Sequence, residues 1–567
     1  MKCPSVCLVF LLIVVGCAQT PQRVYPIPVW TPVLPAPKEL PRADGYFEYL
    51  VAQIELRANQ IDAAVEAYRG ALKRAPKNPL ILTELAALYV RQGNIEGALK
   101  MAEEAIAHDP FYEPAYMLLG QLYAGLGRNR KAIESYEQVI SMNPSNENAY
   151  LLLGALYAQE GRFGKAMEVF DRLRVLLPDN PVALYYKARV FLDIKFYDQA
   201  ESMYREVLAL DPTFENALLD MAYIQEVTDR NRDAEKTYQR IISFNPGSVQ
   251  AYTRLGNLYM RQGKADEALE QFGKLLKLNR KDIESRLKIG IIHLQQKDYE
   301  AAIRDFTHLL KDQPQYDQAL YYLASTYEEQ GDMDQAVLSF RLISQNSPLW
   351  LTAQVRLALL FSRMKDYESG ERVLEEVIAK QPDAADAYLY LAAMLEEQEK
   401  YAEALKVLEK GIQVAPQEPD LHFRKGVILD KLNRKHEAIE AMQKVLLIEP
   451  RNAHALNFIG YTYAELGLHL LEAKEFIKAA LEVEPEDGYI IDSLAWVYFK
   501  LGQYRKALET IEEAVKRVPR DPVIHEHLGD IYQALGKTKQ ALEAYRKALE
   551  FQHAEPDKVR RKMELLQ

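Results

Sequence analysis

The sequence predicts an all-α protein built as a tandem array of short helix pairs. The chain has 567 residues, which is too long for one hydrophobic core and indicates several domains or a repeat. From residue 45 onward, proline recurs at intervals of 34 residues, and small residues recur at two fixed places in each interval. These three observations favour one structural unit that is copied along the chain.

The prolines set the register of the repeat. We number each unit so that its proline is position 32; Arg280 takes this place in one unit. The step from Pro450 to Pro485 is 35 residues, so one unit carries an extra residue. The prolines in register are Pro76, Pro110, Pro144, Pro178, Pro212, Pro246, Pro314, Pro348, Pro382, Pro416, Pro450, Pro485 and Pro519.

Each unit reads as two short helices joined by a tight turn. Positions 8 and 20 hold only alanine or glycine, as in Gly120 and Ala132, so two helices could approach closely there. Apolar spacing inside a unit is helical rather than alternating. Position 15 is often glycine, which suits a turn, and the proline at position 32 stops the second helix. One pair cannot bury its own apolar face, so stacking of successive pairs must supply the core.

These residues resemble the tetratricopeptide repeat family, with fifteen units over residues 45–555. The resemblance implies an α-solenoid in which the helix pairs wind into a superhelix. The first and last units depart from the pattern, as terminal units of an array do. Residues 556–567 begin with proline and read as a C-terminal capping helix.

The amino terminus predicts an export signal followed by a lipid anchor. The apolar run from Val6 to Val15 is too short to span a bilayer, which takes about 20 residues. It reads as a signal peptide over residues 1–16. Residues 14–17 resemble a bacterial lipobox, which implies cleavage before Cys17 and attachment of acyl chains such as palmitate to it. The alternative is an ordinary signal in which this cysteine is incidental.

The resemblance to bacterial lipoproteins also implies a location. Ala18 after the modified cysteine implies the periplasmic face of the outer membrane, with the protein held to the membrane by its lipid. Residues 17–44 contain seven prolines, which exclude a helix or a central strand. We interpret this segment, the Pro-rich tether, as an extended spacer between the lipid and the repeats.

Composition argues against several other functions. The net charge of −11 disfavours nucleic acid as the main partner. No cysteine follows Cys17, so a disulfide framework is excluded. His525 and His527 are two apart on a predicted helix and make a poor metal pair. No HExxH, CxxC pair, GxxxxGK[ST] or GxSxG motif is present, so we expect neither an enzyme nor a bound cofactor.

Two groups of residues are candidates for binding a partner. By resemblance, the first helices of successive units line a concave groove that takes proteins or extended peptides. Position 6 forms a row of mostly basic and aromatic residues, and positions 12 and 13 of the same units are acidic, which suits a peptide of mixed charge. The alternative is a solvated surface of alternating charge. In units six to twelve, position 6 is Asp220 followed by the basic and aromatic residues that we call the position-6 row: Arg254, Lys288, Tyr322, Arg356, Tyr390 and Arg424. The acidic residues at positions 12 and 13 are Glu226, Glu328, Glu329, Glu396, Glu397 and Asp430.

The second group is aromatic and lies near the carboxyl end. Phe458, Tyr461, Tyr489, Trp496 and Phe499 fall at groove positions of two adjacent units, the first of which carries the extra residue. We hypothesise that Tyr461 and Trp496 contact a partner, because aromatic residues often dominate binding energy.

The sequence therefore predicts a non-catalytic binding scaffold on the bacterial outer membrane. Resemblance implies an assembly factor for an envelope complex, such as a pilus, a secretion system, outer-membrane protein insertion or polysaccharide export. Two alternatives are a periplasmic scaffold without lipid and a glycan-binding accessory subunit of an envelope enzyme or polysaccharide machine.

Overall fold

The structure, a computed structural model, describes residues 45–566. The predicted signal peptide, Cys17 and the Pro-rich tether lie outside the described residues. In residues 45–566 there are thirty-one helices and no strand, which confirms the all-α repeat fold. None of these helices is both long enough and apolar enough to cross a bilayer. The chain divides into two compact units between Asp282 and Ile283.

The first unit contains seven helix pairs, and each pair corresponds to one predicted repeat. The helices of the first unit are α1 (Tyr46–Arg57), α2 (Ile61–Arg74), α3 (Pro79–Arg91), α4 (Ile95–His108), α5 (Glu113–Gly125), α6 (Asn129–Met142), α7 (Glu147–Gln159), α8 (Phe163–Leu176), α9 (Pro181–Asp193), α10 (Tyr197–Leu210), α11 (Glu215–Val227), α12 (Asn231–Phe244), α13 (Val249–Arg261) and α14 (Ala265–Leu278).

The second unit contains eight helix pairs and one further helix. Its helices are α15 (Ile283–Gln295), α16 (Tyr299–Asp312), α17 (Asp317–Gln330), α18 (Met333–Arg341), α19 (Trp350–Arg363), α20 (Tyr367–Lys380), α21 (Ala385–Glu397), α22 (Tyr401–Val414), α23 (Pro419–Lys431), α24 (Lys435–Ile448), α25 (Ala453–Leu466), α26 (Leu470–Val483), α27 (Gly488–Lys500), α28 (Tyr504–Arg517), α29 (Pro522–Ala534), α30 (Thr538–Glu550) and α31 (Pro556–Glu564). The last of these corresponds to the predicted capping helix.

The small residue at position 8 makes room for a large ring at position 24. A Cβ atom added to Gly120 would lie 2.4 Å from the ring of Tyr136, and one added to Gly154 would lie 2.4 Å from the ring of Phe170. Both rings are buried. The sequence predicts close helix contact at positions 8 and 20, and the structure adds that an aromatic side chain fills the space that the small residue leaves.

The turn inside each pair depends on one left-handed residue at position 15. Glycine occupies it in repeats such as that of Gly263, at φ +70°. Elsewhere a residue with a side chain takes the same conformation, as Lys365 does at φ +60°. The same left-handed backbone conformation is thus adopted by different residue types, and for this reason glycine marks only some of the predicted turns.

Two repeats differ from the regular pattern. Helix α18 has only nine residues, because the run after it is rich in serine and asparagine, which are weaker helix formers. The 35-residue repeat has two left-handed residues in its turn, Gly467 at φ +68° and His469 at φ +48°. The extra residue is thus absorbed locally, and the flanking helices α25 and α26 keep their contact.

Candidate functional site

Three first helices near the carboxyl end, α25, α27 and α29, bring aromatic side chains together. Side-chain caps fix where all three helices begin. Asn452 caps α25 by accepting a hydrogen bond from the backbone N–H of Ala455 at 2.9 Å. Asp487 caps α27 by accepting hydrogen bonds from the backbone N–H groups of Tyr489 and Ile490 at 2.7 and 3.1 Å. Asp521 caps α29 in the same way. Each cap satisfies backbone donors that would otherwise lack partners, so the start of each helix is well defined.

The C-terminal aromatic cluster consists of Tyr461, Trp496, Phe499 and His527. The Trp496 ring stacks on the His527 ring with centroids 4.1 Å apart, and on the Phe499 ring with centroids 4.8 Å apart. The Tyr461 ring lies 6.4 Å from His527. The cluster therefore joins side chains of three successive repeats on α25, α27 and α29.

A buried ion pair anchors this cluster. The Nδ1 atom of His527 lies 2.9 and 3.0 Å from the two carboxylate oxygens of Asp492, and both side chains are buried. Burial opposes the charged imidazolium, but Asp492, together with Asp530 and Glu526, raises the pKa of His527 above its usual value. The His527 ring faces the indole of Trp496, which favours a cation above its face when that ring is protonated.

The cluster gives each predicted aromatic residue a different setting. Trp496 is already stacked inside the chain, and Tyr461 is half-buried, so that burial raises the pKa of its phenol. Phe458 is half-buried against two groups of core side chains. Tyr489 is exposed at the start of α27, and Tyr504, beside Phe499, is exposed at the start of α28. The exposed rings at the rim are therefore better placed to meet a partner than the stacked indole is.

The sequence did not reveal the part that His527 and Asp492 play. The spacing of His525 and His527 makes His527 a poor metal ligand, and the sequence predicts no role for Asp492. Among residues 45–566, no three His, Cys, Asp or Glu side chains are placed to hold a metal ion. The available signal was the register: His527 is at position 6, and Asp492 and Trp496 are at positions 5 and 9 of the preceding repeat.

The same contact pattern recurs in the first unit. Asp220, at position 6, accepts hydrogen bonds from the hydroxyls of Tyr185 and Tyr204 and from Arg189, all in the preceding repeat. Arg254, the first residue of the position-6 row, follows one repeat later, and its guanidinium lies 6.0 Å from the ring centroid of Tyr223. Position 6 therefore reaches back into a slot between positions 5, 9 and 24 of the preceding repeat.

In the second unit, two arginines of the position-6 row bind acidic side chains of the preceding repeat. Arg356 donates to Ser325 Oγ at 3.1 Å and to Glu328 Oε2 at 2.7 Å. Arg424 donates to Glu396 Oε2 at 3.0 Å. Glu328 and Glu396 both lie at position 12 of the preceding repeat. These predicted basic and acidic residues therefore neutralise each other within the chain.

The other members of the position-6 row are half-buried. Tyr322 stacks on Phe306, with centroids 6.0 Å apart and the rings nearly parallel. Tyr390 packs against the core of its repeats, and its burial raises the pKa of its hydroxyl. Lys288 is half-buried. The row thus lies along the boundaries between repeats, and its partner-binding role stays a prediction.

The capping helix uses the same slot at the end of the array. Lys562 of α31 donates to Glu526 at 2.6 Å and to Asp530 at 2.5 Å, and Val559 is buried against α30. His553 Nε2 lies 2.9 Å from Glu526. Burial would raise the pKa of Glu526, but the cations around it, Lys562 foremost, lower it to about 2. Helix α31 thus closes the last repeat with both apolar and charged contacts.

Comparison with known sequences identifies the repeat. Two profiles described as tetratricopeptide repeat match, and the first of them alone matches more than half of the chain. The first matches residues 117–181, 219–283, 253–306, 287–348, 355–419 and 493–556, and the second matches residues 55–122 and 395–460. The chain belongs to the tetratricopeptide repeat family. No curated protein matches this tetratricopeptide chain significantly.

Two solved structures are similar to this tetratricopeptide chain. One is a chain of the structure of Naa15/Naa10 bound to HypK-THB, at 14% identity and a TM-score of 0.33, covering 92% of this chain and 96% of that one. The other is MamA, at 21% identity and a TM-score of 0.28, covering 30% of this chain and 92% of that one.

Family membership gives the general function. Tetratricopeptide arrays present extended surfaces to other proteins and are generally non-catalytic scaffolds. The chain is therefore a protein-interaction scaffold.

Proposed function

We propose that this scaffold is anchored by lipid at Cys17 to the periplasmic face of the bacterial outer membrane, where it helps to assemble an envelope complex. The observation that carries the binding part is the C-terminal aromatic cluster, in which three successive repeats present aromatic side chains from adjacent first helices. Aromatic anchors of this kind commonly dominate the energy of protein interfaces.

The charges of the array favour an apolar anchor over a strongly charged one. Arg356 and Arg424 are already paired with Glu328 and Glu396, so a peptide of mixed charge would have to compete with these contacts. An aliphatic or aromatic side chain would instead pack on exposed rings, those of Tyr504 beside Phe499 and of Tyr489 at the start of α27, without breaking an ion pair. The partner that fits best is an extended protein segment with apolar side chains.

Substitution of the exposed rings Tyr489 and Tyr504 tests the binding site while leaving in place the stacking of Trp496 on His527 and Phe499. We expect Tyr489→Ala combined with Tyr504→Ala to reduce partner recovery about tenfold or more after crosslinking in intact cells, since each hot-spot residue contributes more than about 1 kcal/mol. Phe111→Ala is the matched control, because Phe111 is an exposed aromatic residue in the first unit. Equal recovery from the double variant and the control would refute the site.

The anchor is tested separately. We expect Cys17→Ser to abolish incorporation of a labelled fatty acid and to release the protein from the outer-membrane fraction. If labelling persists in the variant, the anchor is at another residue. If neither chain is labelled and both are released, the protein is an unlipidated periplasmic scaffold.

Calorimetric titration separates peptide binding from the glycan alternative. Sugar stacking needs an open aromatic face, and the Trp496 ring already stacks on two neighbouring rings. We therefore expect heat with apolar peptides and none with glycans. Heat with glycans alone would reverse the proposal.

A further inference from the structure

The first helix of the array leaves an apolar stripe open to solvent. On α1, Phe47 is 73% exposed, Leu50 is 41% exposed and Ile54 is 64% exposed. These residues are spaced by three and four, which places them on one side of the helix. We call this the α1 stripe.

The corresponding positions are buried in every later repeat of the first unit. Phe47 is at position 3 and Ile54 is at position 10. The residues at these two positions in the following repeats, all buried, are Ile81 and Leu88, Ala115 and Leu122, Ala149 and Leu156, Ala183 and Val190, Ala217 and Ile224, and Ala251 and Leu258.

The cover over these positions comes from the chain that immediately precedes them. Ala115, for example, is buried with Ala105 and against Met101, both on the second helix of the preceding repeat. The α1 stripe is thus a stacking surface whose preceding repeat is missing. Terminal repeats normally present a polar outer face, so the large apolar side chain of Phe47 indicates that something covers this one.

We propose that the Pro-rich tether folds back and covers the α1 stripe. It precedes α1 in the chain, as a second helix precedes every later first helix. Its prolines exclude a helix, so it would pack as an extended chain, in the way that proline-rich segments occupy apolar grooves. Its non-proline apolar residues are Val24, Tyr25, Ile27, Val29, Trp30, Val33, Leu34 and Leu40, apart from small alanines.

The lengths match. The twelve residues of α1 span about 18 Å at about 1.5 Å per residue, a distance that about six residues of polyproline geometry cover. The tether is several times longer than this, so part of it can cover α1 while the remainder still leads to Cys17.

The backbone at the start of α1 favours a reversal of the chain. Gly45, the N-cap of α1, has φ +121°, whereas the N-caps of the later first helices in this unit have φ between −64° and −89°. Only glycine adopts this value readily, so the N-cap of α1 has a backbone conformation that no later first helix of this unit shares.

The size of the stripe favours the chain's own tether over a second copy. A stable dimer buries roughly 800 Å² on each partner, which three side chains of one short helix do not supply. A covalently attached segment needs less contact, because short linkers give effective concentrations in the millimolar range.

Thiol labelling in the full chain tests the proposal. Cys3, Cys7 and Cys17 are replaced by serine, which leaves no native thiol, and Ile54→Cys supplies a reporter in the stripe. In the serine-tether variant, the eight apolar tether residues named above are also serine. We expect the reporter to react at least about fivefold faster in the serine-tether variant than with the native tether.

Two controls make the result specific. Val175→Cys, at an 81% exposed position away from α1, should react equally with either tether. Phe47→Ser should free the Ile54→Cys reporter as fully as the serine tether does, with no further increase when both changes are combined. Equal reporter rates with the native and serine tethers would overturn the proposal. Protection that is independent of the tether but increases with protein concentration would also overturn it and assign the stripe to a second copy.

Discussion

The ion pair between Asp492 and His527 predicts a pH-dependent stability of the C-terminal repeats. The perturbation is Asp492→Asn, which keeps the shape of the side chain and removes its charge. The groups that face the His527 ring are the carboxylates of Asp492, Asp530 and Glu526 and the ring of Tyr461. Of these, the Asp492 carboxylate makes the direct contact, at 2.9 and 3.0 Å.

The direction of the pH dependence of stability follows from the raised pKa of His527. Because the pKa in the folded chain lies above that in the unfolded chain, near 6.5, the ionised ring stabilises the fold below pH 6.5. This contribution is lost as the pH rises through the folded pKa. Removing one partner of a buried ion pair costs about 3–5 kcal/mol, whereas losing a hydrogen bond to a charged group costs about 1.5–3 kcal/mol. We therefore expect Asp492→Asn to destabilise α27 and α29 by about 2 kcal/mol more at pH 5.5 than at pH 9.

The assay is hydrogen exchange of α27 and α29 at the two pH values, corrected for intrinsic rates. It is combined with NMR titration of ¹³C-labelled histidines, in which His527→Gln identifies the signal. Asp557→Asn on α31 is the control, because Asp557 is an exposed carboxylate that pairs with Arg560 at the surface. The reasoning fails if His527 in the native chain titrates at or below 6.5, or if Asp492→Asn leaves its titration unchanged.

Three further predictions concern other parts of the fold. Gly263→Ala should cost about 1–2 kcal/mol of local stability, because a side chain at φ +70° is strained although the space around it is open. Lys365→Gly, at the same turn position of another repeat, should increase local stability by up to about 1 kcal/mol. Hydrogen exchange of the adjoining helices measures both changes in stability. Trp496→Phe should lower the stability of α27 by less than about 1.5 kcal/mol, and Trp496→Ala by about 3–5 kcal/mol. The reason is that ring stacking, and not a hydrogen bond from the indole N–H, holds this side chain. Equal protection of α27 from hydrogen exchange in the two variants would contradict this. Burial raises the pKa of Glu84, so its ionisation opposes folding above pH 4.5, and Glu84→Gln should raise the urea midpoint of the first unit more at pH 7 than at pH 4.

The repeat, its helices and its turns were predictable because they depend on local chemistry. Proline stops a helix wherever it stands, and a glycine such as Gly263 at position 15 marks a left-handed turn. Small residues at position 8 report a close helix contact within the same repeat. Each of these residues acts through contacts or backbone geometry within its own 34-residue unit. Because the same residues recur at the same positions in successive units, the register of the repeat is unambiguous.

The side chains of the candidate site were less predictable because their contacts join different repeats. Arg356 and Glu328 are 28 residues apart, and His527 and Asp492 are 35 apart. Read along one repeat, Arg356 and Glu328 look like two exposed charges suited to a peptide. Only the contact between position 6 and the preceding repeat shows that they satisfy each other.

This slot has a consequence for how the repeats recognise their neighbours. Most repeats share one backbone pattern, but the residue at position 6 differs in its chemistry: it is apolar in some repeats, as at Leu118 and Leu152, and polar in others. Glu84 and Asp220 accept hydrogen bonds from tyrosines, whereas Arg356 donates and His527 carries its charge toward an aspartate. Because buried polar groups must be matched, exchanging repeats that carry such a group at position 6 would leave it unpaired at the new boundary. Polar matching therefore restricts which repeats can be neighbours where position 6 is polar, as at Glu84, Asp220, Arg356 and His527, whereas apolar contacts alone would accept many orders.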